Sequence, residues 1–320
     1  MATMQQRKVL FIDTAHPVLE QDLSSYGFKC ESFPNHSIED YKRIIPEYFG
    51  IIIRGKIKLD REILSLAKQL KFIGRVGAGM ENIDVEFAES LGIACLNAPE
   101  GNRDAVGEQA VGMLLMLMNH LRKADREVRQ GIWLRAENRG TEIKGKTVAI
   151  IGYGNMGGAF AERLKGFGCR VIAYDKYKTN YSNDYIEELD MATVFEEADI
   201  LSLHVPLTDE TTFLVNDDYL SKFRKKIYLI NTSRGKVVKT ADLVKNMKTG
   251  KVLGAALDVL EYEKLSFENI DKISLPEDFN YLINSDNVVL SPHIAGWTHE
   301  SNYKLAKTIA DKVRERFVGK

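Results

Sequence analysis

The sequence predicts an α/β protein built from two doubly wound parallel-sheet domains. Short apolar runs alternate with helix-period stretches along most of the chain. One such run, Val148-Ala149-Ile150-Ile151, passes directly into the glycine turn Gly152-Tyr153-Gly154-Asn155-Met156-Gly157. At 320 residues and 44% hydrophobic content, the chain has room for two cores.

Charge and composition exclude several classes. The 44 basic and 45 acidic residues leave a net charge of −1, so neither nucleic acid nor an anionic membrane is an expected partner. No apolar stretch reaches transmembrane length, and the opening MATMQQRKVLFID carries no signal-like region. The expectation is a soluble, cytoplasmic protein. Cys30, Cys95 and Cys169 are odd in number and spaced like neither a disulfide framework nor a zinc site. They read as small core residues, and no metal is expected.

Taken in order, the runs at 9–12, 49–53, 72–73 and 93–96 predict strands, with a weaker one at 28–33. Ile63, Leu64, Ala67 and Leu70 mark a helix between two of them. Asn97-Ala98-Pro99-Glu100-Gly101-Asn102 reads as a loop, and Asp104 as the cap of a long helix over about 105–123. Val106, Ala110, Met113, Leu114, Leu117 and Leu121 recur at helical spacing. Val111, Leu115, Met116 and Met118 make that helix apolar almost all round. Such a helix is buried on every side, either as a core helix or as half of a homodimer interface, and the second is the expectation. Residues 124–144 are polar. Runs at 148–151, 170–174, Ile200–Leu203, 227–230, Val252–Leu257 and Val288–Leu290 predict six strands in the second domain. Residues 265–283 are acidic and poorly periodic, an inserted loop or short helices, and 302–318 form a last amphipathic helix.

The glycine turn is where chemistry enters. Strand, G-x-G-x-x-G, helix, strand and acid make the dinucleotide-binding Rossmann unit. Gly152 permits the tight turn, Gly154 lets backbone approach a pyrophosphate, and Gly157 lets helix and strand pack closely. The N–H groups at the helix start face the phosphates. Asp175, 18 residues after Gly157, can accept hydrogen bonds from both ribose hydroxyls and repels a 2′-phosphate. The expected cofactor is therefore NAD rather than NADP.

Three side chains end neighbouring strands of the same domain. Arg234 follows 228–230, Glu263 lies beyond Asp258 at the end of 252–257, and His293 follows 288–290. Ligands bind at that carboxyl edge. A histidine backed by a carboxylate suits an alcohol's proton near neutral pH, and an arginine fork suits a substrate carboxylate. His204, also at a strand end, reads as a residue beside the cofactor, with Pro206 shaping its loop. His16, His36, His120 and His299 show no partner pattern.

These residues resemble the D-isomer-specific 2-hydroxyacid dehydrogenase family, and within it the phosphoglycerate dehydrogenases. The resemblance spans nearly the whole chain. It rests on Arg54-Gly55, on Gly74-Arg75-Val76-Gly77-Ala78-Gly79 with Asn82-Ile83-Asp84, and on Asn97-Ala98-Pro99. It continues through the glycine turn, His204-Val205-Pro206-Leu207-Thr208, Asn231-Thr232-Ser233-Arg234-Gly235, the stretch 255–259 and Pro292-His293-Ile294-Ala295-Gly296. It implies a flavodoxin-like substrate domain at 1–101 and 298–320, an NAD-binding domain at 102–297, and a homodimer built on the long helix. It implies Arg234 for substrate anchoring, Glu263 as the histidine's partner and His293 as acid/base. Backbone at Val76, Gly77, Ala78 and Gly79 would hold a substrate carboxylate. Asn155, Met156, Asp175, Thr232, Asp258 and Gly296 would touch NAD, with Asp258 near the nicotinamide amide.

Some positions depart from the family pattern. Gly55 and Ala105 stand where serine is common, Trp297 replaces a small residue, and 30 residues separate Glu263 from His293. The chain ends after the returning helix, so a short form without a C-terminal regulatory domain is expected.

The expected substrate is a small 2-hydroxy or 2-keto acid, 3-phospho-D-glycerate in serine biosynthesis. Arg54 and Arg75 each end an apolar run and supply charge for the phosphate, with Lys56 assisting. Arg135 matches an arginine that reaches the neighbouring subunit's site. The alternatives are a glyoxylate or hydroxypyruvate reductase and, from another class, an NAD-sensing binding protein.

Overall fold

The computed structural model describes residues 6–263 and 276–318. The chain divides into two compact units, Met1–Arg103 with Trp297–Lys320, and Asp104–Gly296.

The first unit carries a five-stranded parallel sheet. Its strands are β1 (Lys8–Phe11), β2 (Lys29–Ser32), β3 (Gly50–Ile53), β4 (Phe72–Arg75) and β5 (Ala94–Asn97). Their order is β2-β1-β3-β4-β5, the flavodoxin-like arrangement. Central strands are buried on both faces, which is why β3 reads as an uninterrupted apolar run. Leu10, Ile51, Ile53 and Ile73 point into one core with Tyr41 and Ile63. Val9, Phe11, Ile52 and Phe72 point into the other, which is closed by Leu305, Ile309 and Val313 of helix His299–Phe317. That helix packs tightly, since a side chain at Gly74 would come within 2.9 Å of Ile309.

Among the described residues the second unit holds seven parallel strands. They are β6 (Thr147–Ile151), β7 (Arg170–Tyr174), β8 (Glu187–Glu188), β9 (Ile200–Leu203), β10 (Ile227–Asn231), β11 (Val252–Leu257) and β12 (Val288–Leu290). Their order is β12-β11-β10-β9-β6-β7-β8, the Rossmann order with one further strand. The sequence predicts six of these strands. The seventh, β8, is two glutamates at the sheet edge and carries no apolar signal.

The expected loop at 97–102 and helix at 105–123 require correction. Pro99 does not break the chain but opens helix Pro99–Met118, because proline's missing N–H and fixed φ suit a first helical position. Asp104 lies inside that helix, where it pairs with Arg163 at 3.1 Å. The helix ends at Met118, His120 takes a left-handed φ of 51°, and a second helix, Leu121–Arg129, starts anew. Nor is the long helix buried on every side within one chain: Met116 is 38% exposed. Of the expected insertion at 265–283, residues up to 275 lie outside the described residues, and most of the rest forms helix Glu277–Asn284. Among the described residues no helix is long and apolar enough to cross a membrane. The three cysteines are free and half-buried.

Candidate active site

The glycine turn after β6 is shaped by contact. Gly152 has φ +91°, and a side chain there would sit 2.6 Å from the His204 carbonyl oxygen. A side chain at Gly157 would fall 2.1 Å from the Gly152 carbonyl, whereas one at Gly154 would meet nothing within 4 Å. Gly152 and Gly157 are therefore demanded by the fold. Gly154 is open, at the exposed start of helix Asn155–Arg163, with Met156 on its first turn. The turn lies beside the point where strand order reverses, between β6 and β9.

Asp175 ends β7 and accepts N–H groups of Tyr153 (2.8 Å), Tyr177 (2.9 Å) and Lys178 (3.0 Å). Those amides fix the carboxylate against the glycine turn. Thr232 is buried, and its hydroxyl has no hydrogen-bond partner among the described residues. A cradle with an open glycine and an orphaned buried hydroxyl fit a bound dinucleotide.

His293 Nδ1 and Glu263 Oε2 lie 2.8 Å apart. The other Glu263 oxygen accepts the Leu260 N–H of its own turn. Arg234 leads from β10 into the same edge, and its Nη1 donates to the Ser233 carbonyl at 2.7 Å. Beside it Gly235 packs on Leu260, where a side chain would lie 1.9 Å from the carbonyl oxygen. The loops of Arg234 and Glu263 are thus in direct contact.

Asp258 is fully buried, and most of its bonds go to the turn that carries His293. Its carboxylate accepts from Ser291 Oγ (2.6 Å), the N–H groups of Ile294 (2.9 Å) and Ala295 (2.8 Å), and Gln109 Nε2 (3.3 Å). Its carbonyl accepts the His293 N–H at 2.7 Å. His293 itself takes a left-handed φ of 55°, and Gly296 completes the turn at φ +91°. Motif reading assigned Asp258 to the cofactor. It missed this anchoring duty, together with Gln109 and Ser291, because which amides curl around a carboxylate leaves no sequence pattern.

His204 sits apart from this machinery. Its Nε2 meets Ser202 Oγ at 2.8 Å, its ring lies against Phe160, and burial pulls its pKa down to about 3. So low a pKa makes it a weak base, poorly matched to an alcohol's proton near neutral pH. Pro206 is exposed and its carbonyl accepts from Thr211 Oγ1 at 2.6 Å.

In the first unit, Arg54 follows β3 beside the β1/β3 reversal of strand order. Asp13 Oδ2, at the end of β1, accepts the N–H groups of Arg54 (2.6 Å), Gly55 (3.0 Å) and Lys56 (3.2 Å). The Arg54 guanidinium lies 4.3 Å from the Trp297 ring centroid. Arg75 folds back across Gly77, whose missing side chain leaves room for it, and its Nη1 approaches the Val76 carbonyl at 3.4 Å. Asn97 Nδ2 donates to the Ala78 carbonyl (2.6 Å) and Ala98 N–H to that of Gly77 (2.8 Å), which pins the turn that leads to Gly79. Arg135 is exposed, following Ile132, Trp133 and Leu134. Asp13 was legible only as an acid directly after an apolar run.

Comparison with known proteins identifies the family. Residues 111–295 match the model of the D-isomer specific 2-hydroxyacid dehydrogenase NAD binding domain. The chain is 34% identical over 304 residues to D-3-phosphoglycerate dehydrogenase of Archaeoglobus fulgidus, covering 93% of this chain and 56% of that protein. It is 34% identical over 275 residues to hydroxypyruvate reductase of Thermotoga maritima, covering 86% of this chain and 87% of that protein. It thus spans about half the length of the phosphoglycerate dehydrogenases it matches. The structure of D-lactate dehydrogenase from Aquifex aeolicus, complexed with NAD and lactic acid, superposes with a TM-score of 0.81 at 25% identity, covering 96% of this chain and 94% of that one. The chain belongs to the D-isomer-specific 2-hydroxyacid dehydrogenase family, whose members are NAD-dependent oxidoreductases.

Proposed function

We propose that this chain is an NAD-dependent dehydrogenase that interconverts 3-phospho-D-glycerate and 3-phosphohydroxypyruvate. The observation that carries the substrate reading is Arg54. Its loop is tied to Asp13 and its guanidinium is stacked and partly desolvated at the carboxyl edge of a flavodoxin-like sheet. A fixed arginine fork at such an edge suits a phosphate or another dianion.

The remaining residues take these roles. Arg234 and the backbone of 76–79 hold the substrate carboxylate, and Arg234 polarises the adjacent carbonyl. Glu263 occupies His293 Nδ1, so the alcohol proton moves at Nε2. Asp258 keeps the His293 turn in place. Gly152, Gly154, Gly157, Asn155, Met156, Thr232 and Gly296 hold NAD, with His204 and Pro206 shaping the adjoining loop. Asp175 selects against the 2′-phosphate. NAD, when bound, supplies the hydride acceptor. The chain acts as a homodimer, with Arg135 reaching the partner's substrate.

The reductase reading retains specific support. Arg75 turns back over Gly77, which leaves fewer cations at the sheet edge, and a hydroxypyruvate reductase matches at the same identity. Initial rates at 340 nm, with NADH and NADPH against 3-phosphohydroxypyruvate, hydroxypyruvate and glyoxylate, separate the two. The proposal expects the highest kcat/KM for the phosphorylated acid with NADH. A preference for hydroxypyruvate or glyoxylate favours the reductase, and equal use of NADPH removes Asp175 as a selector.

A further inference from the structure

We propose that Trp297 is a positioning residue that holds the Arg54 guanidinium in place for an anionic group at the far end of the substrate. The proposal rests on the reading that Arg54 binds that group. Trp297 immediately precedes Thr298, the N-cap of helix His299–Phe317. A reciprocal capping box fixes the backbone there: Ser301 N–H donates to Thr298 Oγ1 at 3.0 Å, and Thr298 N–H to Ser301 Oγ at 2.9 Å. The helix is anchored below by buried Leu305, Ala306 and Ile309. Trp297 itself lies outside the helix, but the residue that follows it is fixed by this cap.

The guanidinium lies over this indole at 4.3 Å. At the other end of the same side chain, Asp13 grips three successive N–H groups, starting with that of Arg54. Backbone and guanidinium are fixed independently. An arginine loses much rotamer freedom when it grips a ligand, and a stack that orders it beforehand removes part of that cost. A guanidinium held over a ring by a cation–π contact keeps N–H groups for a forked grip on an anion. Trp297 remains 66% exposed, so the indole is not a core residue whose packing would explain its presence.

The test compares Trp297→Leu with Trp297→Phe, measuring KM and kcat for 3-phosphohydroxypyruvate and for hydroxypyruvate. Trp297→Leu should raise KM for the phosphorylated acid about 3- to 30-fold, the range of a cation–π contact. Its kcat, and both constants for hydroxypyruvate, should change by less than about 2-fold. Trp297→Phe, which keeps an aromatic face, should recover most of the loss. Equal effects on the two acids, no effect, or identical Leu and Phe variants would overturn the proposal.

Arg54→Ala run alongside separates the two readings. If it spares the phosphorylated acid, the substrate reading fails. If it selectively weakens that acid and Trp297→Leu does not, the clamp alone fails. Fluorescence tests the clamp without substrate. The chain has two tryptophans, so Trp133→Phe leaves Trp297 as the one tryptophan to excite selectively over the tyrosines. Adding Arg54→Ala to that protein should change the emission maximum or intensity, and an unchanged spectrum would contradict the stack.

Discussion

Two histidines at strand ends of one sheet have opposite surroundings. His293 is paired with a carboxylate, whereas His204 is half-buried with its ring against Phe160, and its buried Nδ1 has no hydrogen-bond partner among the described residues. Protonating His204 would add an N–H with no acceptor. Its pKa is about 3 in the fold, against an ordinary value of 6.5. Above pH 6.5 both folded and unfolded states are neutral there, and the residue adds no pH dependence. Below pH 6.5 the unfolded chain takes a proton that the fold refuses, so stability falls with pH by up to about 1.4 kcal/mol per unit towards pH 3. Between pH 6.5 and 5 that amounts to roughly 2 kcal/mol. Urea midpoints at pH 7 and pH 5 should therefore separate less in His204→Gln than in wild type, and equal separations would refute the assignment. His293→Ala should cut kcat by roughly 10²–10⁴-fold and spare NADH affinity measured by fluorescence titration; a kcat near wild type would exclude it as the acid/base. The pairing of Glu263 with His293 was legible because both lie beyond neighbouring strand ends, where side chains meet. Asp13 and the anchoring duty of Asp258 were not, since both act on backbone amides whose path is set by the folded loop.

The glycine turn offers a contrast within one element. Gly157→Ala places a methyl against a backbone carbonyl that cannot yield, whereas Gly154→Ala meets nothing within 4 Å among the described residues. Gly154→Ala should melt near the wild-type temperature and bind NADH at least about tenfold more weakly, because the methyl intrudes where the pyrophosphate approaches. Gly157→Ala should lose both stability and binding. Thermal melts with NADH titrations check this, and a Gly154→Ala protein with unaltered affinity would show that the backbone does not approach the phosphates. The turn itself was readable, since strand, spacing and acid agree. Helix Pro99–Met118 was misplaced at both ends. Its proline and glycine read as loop residues, yet Pro99 opens the helix and buried Gly101 lets it pack against the backbone at Leu305. Its far end is set by the left-handed turn at His120, which no hydrophobic period announces.

At the scale of the molecule, most central strands read as apolar runs, so the α/β character was legible from pattern, whereas the sheet orders entered through the glycine turn and the family resemblance. The apolar surface left on a single chain was only partly so. Met116, Leu121, Val128, Ile132, Trp133 and Leu134 are all exposed, Trp133 by 76%. Exposed apolar residues in such number along one stretch suit a second copy. Light scattering at micromolar concentration should give twice the chain mass, and a monomer would contradict the dimer. The central claim is that Arg54 reads a phosphate at the far end of the substrate. A hydrogen bond to a charged group is worth about 1.5–3 kcal/mol, so its loss costs roughly ten- to over a hundredfold. The most direct measurement is the ratio of kcat/KM for 3-phosphohydroxypyruvate to that for hydroxypyruvate, in wild type and in Arg54→Ala. The account predicts a ratio well above one that collapses by about tenfold or more in the variant; a wild-type ratio at or below one, or a ratio that Arg54→Ala leaves unchanged, would contradict it.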